Sequence, residues 1–282
     1  MDFGVTGIVI RLVLGIIIGF SIGLSGIGGG VLVLPSLTLI LGMSASAAVG
    51  TANLYSFLTK ANATYHHFRL KTIDVSTTIF FLVGAVPGVV LVSGMINQYL
   101  ATVQDRPELV AQFQERLRLF IAFVVIACAV ILIINHIRDR DTKEGNEASA
   151  AGWIQALRKN KVGRRVAAIV LGGVVGALIG STSIGGGVLI VPMLIMVFGL
   201  TTRQTVGTSI AIAVVLTLVS SIIYGSSGQL FVWTAVVMAV GSLIGVPIGS
   251  RLSVKLPDRL LRAVVIAIII VAAVTMLFKG GH

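Results

Sequence analysis

The chain contains the same glycine-rich segment twice. Residues 27–35 read IGGGVLVLP and residues 184–192 read IGGGVLIVP, at an offset of 157 residues that holds well beyond the motif. A shared triplet, VGT, follows at 49–51 and 206–208 with the same offset. Glycine interrupts helices, so a repeated break inside apolar sequence predicts two similar halves with a functional site where the breaks meet.

The composition is that of a membrane protein. Of 282 residues, 56% are hydrophobic and 11% are charged, whereas soluble domains are about 25% charged. Long apolar stretches recur, which predicts an all-α polytopic fold of about eight to ten membrane elements, in a cell membrane such as the bacterial inner membrane. The net charge of +11 lies in short loops, so the predicted partner is the lipid bilayer and not nucleic acid.

Ten elements are predicted, at residues 7–24, 31–41, 45–65, 75–96, 117–137, 165–179, 188–198, 205–224, 232–252 and 259–278. The second and seventh span about 17 Å, which is too short for a bilayer core of about 30 Å, so they are expected to be re-entrant or broken helices. The predicted organisation is a first repeat over 1–135, a cytoplasmic linker over 136–163 and a second repeat over 164–282.

The basic residues of the loops predict an orientation. The linker is the most basic loop and is placed in the cytoplasm, together with the loop over 66–71, while a polar connection over 97–116 lies outside. Each half then crosses the membrane an odd number of times. The halves are therefore expected to be inverted repeats, related by an axis in the membrane plane.

The doubled IGGGVL segment, with a proline five residues after its last glycine and a VGT triplet beyond, resembles the sulfite exporter TauE/SafE family of membrane permeases. That family is also known as the toluene-sulfonate uptake permeases. The resemblance covers both repeats. It implies transport of small sulfur-containing anions such as sulfite or organosulfonates, and it leaves the substrate of this member open.

The glycine breaks are the first candidate binding residues. The start of a helix leaves N–H groups free and carries partial positive charge, so a glycine break can hold an anion without a basic side chain. Nearby hydroxyl groups would add donors. This predicted site comprises Ser25, Gly28, Gly29, Gly30, Thr182, Ser183, Gly185, Gly186 and Gly187. The alternative is that the glycines only allow close helix packing.

A second candidate set follows each break. It consists of Thr51, Asn53, Thr208 and Ser209, whose hydroxyl and amide groups would orient a ligand. The alternative is hydrogen bonding between packed helices. Lys60 is the one basic residue well inside an element and is a candidate counter-charge for an anion. Its alternative role is to extend its ammonium group to the inner surface.

Several activities are disfavoured by the sequence. No carboxylate lies deep in a predicted element, which argues against a cation carrier. A single cysteine and no suitable histidine cluster predict no metal, no cofactor and no enzymatic activity. The predicted function is transport of a small anionic substrate by alternating access, with export favoured by a cytoplasm-negative potential. An anion channel or facilitator is the alternative, and the sequence leaves open whether the chain forms a homo-oligomer.

Overall fold

The computed structural model describes residues 4–25, 30–141, 160–184, 187 and 189–253. These residues form helices and short turns, and no strand occurs among them. The helices are α1 (Val5–Ser25), α2 (Gly30–Leu39), α3 (Ala45–Arg69), α4 (Val75–Thr102), α5 (Pro107–Asp141), α6 (Lys161–Thr182), α7 (Ile190–Met196), α8 (Thr202–Ser226) and α9 (Val232–Ser253). The all-α prediction is confirmed, and the element predicted at 259–278 lies outside the described residues.

Five of the described helices are long and apolar enough to cross a membrane, namely α1, α4, α6, α8 and α9. Their outer faces carry exposed apolar side chains such as Leu91 and Leu243, as lipid-facing helices do. Helices α2 and α7 have 10 and 7 residues, about 15 Å and 10 Å. The prediction that these two elements are too short to span is therefore confirmed. The chain is a multi-pass membrane protein.

The prediction of a polar connection over 97–116 is wrong, because most of these residues are helical. Helix α4 continues to Thr102 and α5 begins at Pro107, so only a short turn separates them. The rings of Tyr99 and Phe113 pack across this turn with centroids 4.7 Å apart. Polar residues here extend the two helices, because hydropathy reports contact with lipid and not helix formation. Likewise α3 continues through His67 to Arg69, past the predicted end at 65.

Two helix pairs pack through glycine. In the α1–α9 pair, a Cβ at Gly15 would overlap the backbone of Met238, and in the α4–α6 pair a Cβ at Gly172 would overlap the backbone of Phe81. Gly172 is the counterpart of Gly15 at the 157-residue offset, and Met238 is the counterpart of Phe81. Each contact of one helix pair is thus repeated in the other pair by the counterpart residues, which we call the exchange of partners. It also holds for the counterpart glycines Gly19 and Gly176, Gly23 and Gly180, Gly84 and Gly241, and Gly88 and Gly245.

These contacts define helix directions. Along α1, residues 15, 19 and 23 meet residues 238, 242 and 246 of α9, so these two helices are parallel. Helices α3 and α8 are counterparts of each other and pack together, where Asn53 bonds to Ser220 and a Cβ at Gly50 would overlap the side chain of Tyr224. The partner number falls as the α3 number rises, so α3 and α8 are antiparallel.

The buried apolar side chains of the described residues form two clusters. The first contains Val33, Leu37 and Tyr55, and the second contains Ile190 and Leu194 among others. Ile190 and Leu194 are the counterparts of Val33 and Leu37. Each short helix therefore buries matching residues, and each cluster also contains residues of the other half, such as Met238 in the first cluster and Phe81 in the second.

Candidate functional site

The glycine segments lie at helix ends. Helix α2 begins at Gly30, and α6 ends at Thr182, followed by Ser183 in the left-handed conformation with φ 55°. The carbonyl of Gly187 accepts a hydrogen bond of 3.4 Å from the Val191 N–H. Ser25 is the last residue of α1, and its side chain is outside the described part. Gly28, Gly29, Gly185 and Gly186 are also outside the described residues.

The end of α6 is organised by hydroxyl groups. The Thr182 hydroxyl donates to the Leu178 carbonyl at 2.6 Å and accepts from the Ile184 N–H at 3.1 Å. Ser183 is 4% exposed, and its hydroxyl has no hydrogen-bond partner among the described residues. Because the Ile184 N–H donates to the Thr182 hydroxyl, it does not donate to the Gly180 carbonyl as it would in a continuing helix.

Thr51 and Thr208 both hold the start of another helix. The Thr51 hydroxyl accepts from the Phe231 N–H at 3.1 Å, and the Thr208 hydroxyl accepts from the Asp74 N–H at 2.9 Å. The two bonds are counterparts at the 157-residue offset. The Ser209 hydroxyl donates within its own helix to the Val206 carbonyl. These contacts favour a packing role for the three hydroxyls, while their role in ligand binding stays a prediction.

The threonine contacts lead to a stability prediction. Thr51→Val and Thr208→Val each leave a helix-start N–H without its acceptor, which costs about 1–3 kcal/mol. We therefore expect both variants to unfold at lower temperature in detergent. Thr217→Val is the control, because the Thr217 hydroxyl donates only to carbonyls of its own helix. Normal stability with lost ligand binding would instead assign Thr51 and Thr208 to the binding site.

Asn53 lies in a buried polar cluster between the halves. Its amide nitrogen donates to the Val49 carbonyl at 3.0 Å and to the Ser220 hydroxyl at 2.9 Å. The Ser220 and Ser93 hydroxyls are 3.5 Å apart, and Ser93 donates to the Gly180 carbonyl at 3.1 Å. Four helices, α3, α8, α4 and α6, thus meet at one series of hydrogen bonds that ends at the Gly180 carbonyl in the last turn of α6.

Sequence reasoning found Asn53 but missed the residues around it. Tyr224 also donates to the Gly180 carbonyl, at 2.8 Å, and the Ser56 hydroxyl is buried without a partner in the described part of the chain. A sequence signal exists, because each of these groups interrupts an apolar helix. This signal does not show which of the polar residues contact one another, because those contacts depend on the antiparallel packing of α3 and α8.

Lys60 and Arg11 are basic residues of the described helices that are partly or fully buried. Lys60 is half-buried and nine residues before the end of α3 at Arg69, which is about 14 Å along the helix. It is thus farther from the end of its helix than a helix ending at 65 implied, and its role as counter-charge stays a prediction. Arg11 is buried and its Nε donates to the Thr234 hydroxyl at 3.0 Å, which ties α1 to α9.

The described residues contain no group of histidine, cysteine and acidic side chains that would hold a metal ion. Apart from Arg11, their buried polar side chains are uncharged. What the cluster offers is a set of neutral hydrogen-bonding groups in a region of low dielectric constant, where such bonds are strong.

Comparisons with known proteins agree with this architecture. Residues 11–276 match the model of the family described as sulfite exporter TauE/SafE. The chain is 30% identical over 266 residues to the probable membrane transporter protein YjnA of Bacillus subtilis (strain 168), covering 94% of this chain and 98% of the relative. It is 24% identical to the probable membrane transporter protein YunE of the same organism, covering 96% and 98%. No solved structure matches.

Proposed function

Because the chain belongs to the sulfite exporter TauE/SafE family of membrane transporters, we propose that it moves small sulfur-containing anions, sulfite or organosulfonates, out of the cytoplasm. The family match over residues 11–276 carries this proposal. Its relatives bear the names of membrane transporters and not of enzymes. The chemistry of the chain is then selective binding and release, with no bond made or broken in the substrate.

The anion is held in this proposal by backbone N–H groups of the two glycine segments, and alternating access occurs around them. Two observations support it. Helix α2 is described from Gly30, directly after Gly28 and Gly29 in sequence, and the start of a helix there would supply free N–H groups and partial positive charge to an anion. The described buried polar groups near the second segment are neutral, so a basic side chain is not the main source of attraction there.

Export follows from the electrical driving force. A cytoplasm-negative potential contributes about 2.3 kcal/mol per charge per 100 mV to the exit of an anion. This corresponds to nearly fifty-fold accumulation outside. Import would require a coupling ion, and no buried carboxylate occurs among the described residues to carry a proton.

A flux measurement tests the proposed function. Purified protein is placed in liposomes loaded with sulfite, and an inside-negative potential is imposed with a potassium gradient and valinomycin. We expect sulfite efflux that saturates with concentration and accelerates with the potential. Liposomes without protein are the control. Absence of protein-dependent flux for sulfite and for simple sulfonates would contradict the proposed substrate class.

The two halves are inverted repeats in this proposal, with the linker in the cytoplasm. The counterpart helices α3 and α8 pack antiparallel, which supports a twofold axis perpendicular to both. If the two helices cross the bilayer, this axis lies in the membrane plane. The partner exchange between the α1–α9 and α4–α6 pairs supports a twofold relation.

The orientation leads to a labelling prediction. A cysteine at Asn146, in protein whose Cys128 is replaced by serine, should resist an impermeant thiol reagent in intact cells and react after the cells are opened. A cysteine at Ser227, in the α8–α9 turn, is the control and should react in intact cells. Labelling of position 146 from outside would reverse the proposed orientation.

A further inference from the structure

The orientation of the Asn53 amide is fixed by its neighbours. The Val49 carbonyl can only accept a hydrogen bond, so the atom 3.0 Å from it must be the amide nitrogen of Asn53. The second amide hydrogen is used by the Ser220 hydroxyl at 2.9 Å. Asn53 therefore has no hydrogen left to donate. Its Oδ1 is buried and has no partner among the described residues.

The neighbouring hydroxyls do not supply the missing donor. Ser93 directs its hydrogen to the Gly180 carbonyl, and Ser220 accepts from Asn53 and lies 3.5 Å from Ser93. In this series of hydrogen bonds each donor points towards the end of α6, so none of the hydrogens points to the Asn53 Oδ1. A buried carbonyl oxygen without a donor costs about 1–3 kcal/mol, so this atom needs an explanation.

Comparison of the two halves indicates that the explanation is functional. The counterpart of Asn53 is Ile210, and the counterpart of Ser56, whose buried hydroxyl also has no partner, is Ala213. Neither counterpart side chain can form a hydrogen bond. The corresponding positions of α8 therefore lack these polar groups, and the packing contact of Asn53 with Ser220 uses the amide nitrogen and leaves Oδ1 unexplained. Asn53 and Ser56 lie three residues apart, on one face of α3.

We propose that the Asn53 Oδ1 accepts a hydrogen bond from the transported anion, and that the protein therefore prefers anions that carry a hydrogen-bond donor, such as a hydroxyl group beside the sulfonate. An anion with acceptors only would place negative charge against an unpaired carbonyl oxygen. The Ser56 hydroxyl, which can donate or accept, extends the same polar face. This inference rests on the proposed function and specifies the substrate class.

The test compares two sulfonates of the same charge and similar size. Binding of 2-hydroxyethanesulfonate and of ethanesulfonate to the purified full chain is measured by calorimetry. We expect the hydroxylated anion to bind about tenfold more tightly or better, because the other leaves the Asn53 Oδ1 unpaired. This comparison uses the unmodified protein, so it does not depend on the folding of a variant.

Two variants locate the preference. Asn53→Leu removes the acceptor at nearly constant volume, and we expect the two sulfonates to bind it with equal affinity. Thr217→Val is the matched control on α8, since Thr217 is buried but donates within its own helix. It should retain the preference for the hydroxylated anion.

Equal affinities in the unmodified protein would overturn the inference while leaving the proposed function standing. A stabilisation by sodium chloride over choline chloride that is lost in Asn53→Leu would assign the oxygen to a cation and would also overturn it. Failure to bind either sulfonate or sulfite would contradict the proposed function itself, and the inference with it.

Discussion

Gly29→Val and Gly186→Val are each expected to abolish sulfite transport while leaving insertion into the membrane intact. A branched side chain would cover the backbone N–H groups that we propose as the anion site. Each lost hydrogen bond to a charged ligand is worth about 1.5–3 kcal/mol, so loss of two or more reduces affinity by at least two orders of magnitude. Flux into or out of proteoliposomes measures the effect.

Gly94→Val is the control for these two variants. Gly94 lies within α4, and a Cβ there would meet no atom within 4 Å, so transport should persist. Normal flux in both Gly29→Val and Gly186→Val would show that the triplets serve helix packing alone. Failure of the variants to insert would be seen directly as loss of folded protein in detergent, separately from flux.

Gly15→Ala and Gly172→Ala are expected to destabilise the protein strongly and to similar extents. A methyl group at either position would overlap a backbone carbonyl of the paired helix, that of Met238 or that of Phe81. Backbone cannot rotate away as a side chain does, so the helices must separate. Overpacking that forces the backbone to shift costs about 1–3 kcal/mol, and a direct overlap with backbone lies at the upper end of that range.

Thermal unfolding of the purified variants measures this effect, with Gly94→Ala as the control. In an open helical position, alanine for glycine is neutral or stabilising by about 1 kcal/mol. Similar losses at Gly15 and Gly172 would agree with their matched contacts. Unfolding of Gly172→Ala at the temperature of Gly94→Ala would contradict the close helix contact.

The helices were predictable from sequence where lipid contact and helix formation coincide. This is why α1, α6 and α9 were predicted within a few residues and the short α2 and α7 were recognised. The prediction failed where a helix leaves the apolar region. Asn97 is buried and donates to the Ile223 carbonyl, yet its polar character predicted a loop. The same reasoning misplaced the end of α3, because His66 and His67 are polar but helical.

The candidate site was predictable only in part. The VGT repeat led to Thr51 and Thr208, and their contacts with the starts of α9 and α4 also repeat. The Asn53 cluster could not be derived, because Ser93, Ser220 and Gly180 occur on three helices whose meeting is a tertiary property. A single serine in an apolar helix has the same appearance in sequence whether it packs or binds.

The exchange of partners between the halves has a consequence for assembly. Helix α1 is made first and its glycine-lined face matches α9, the last helix described, so this face has no partner until nearly the whole chain has been inserted. Helix α4 finds α6 only after the linker has been made. A half produced alone would expose its glycine-lined helix face to lipid. Each half therefore needs the helices of the other half to complete its own packing.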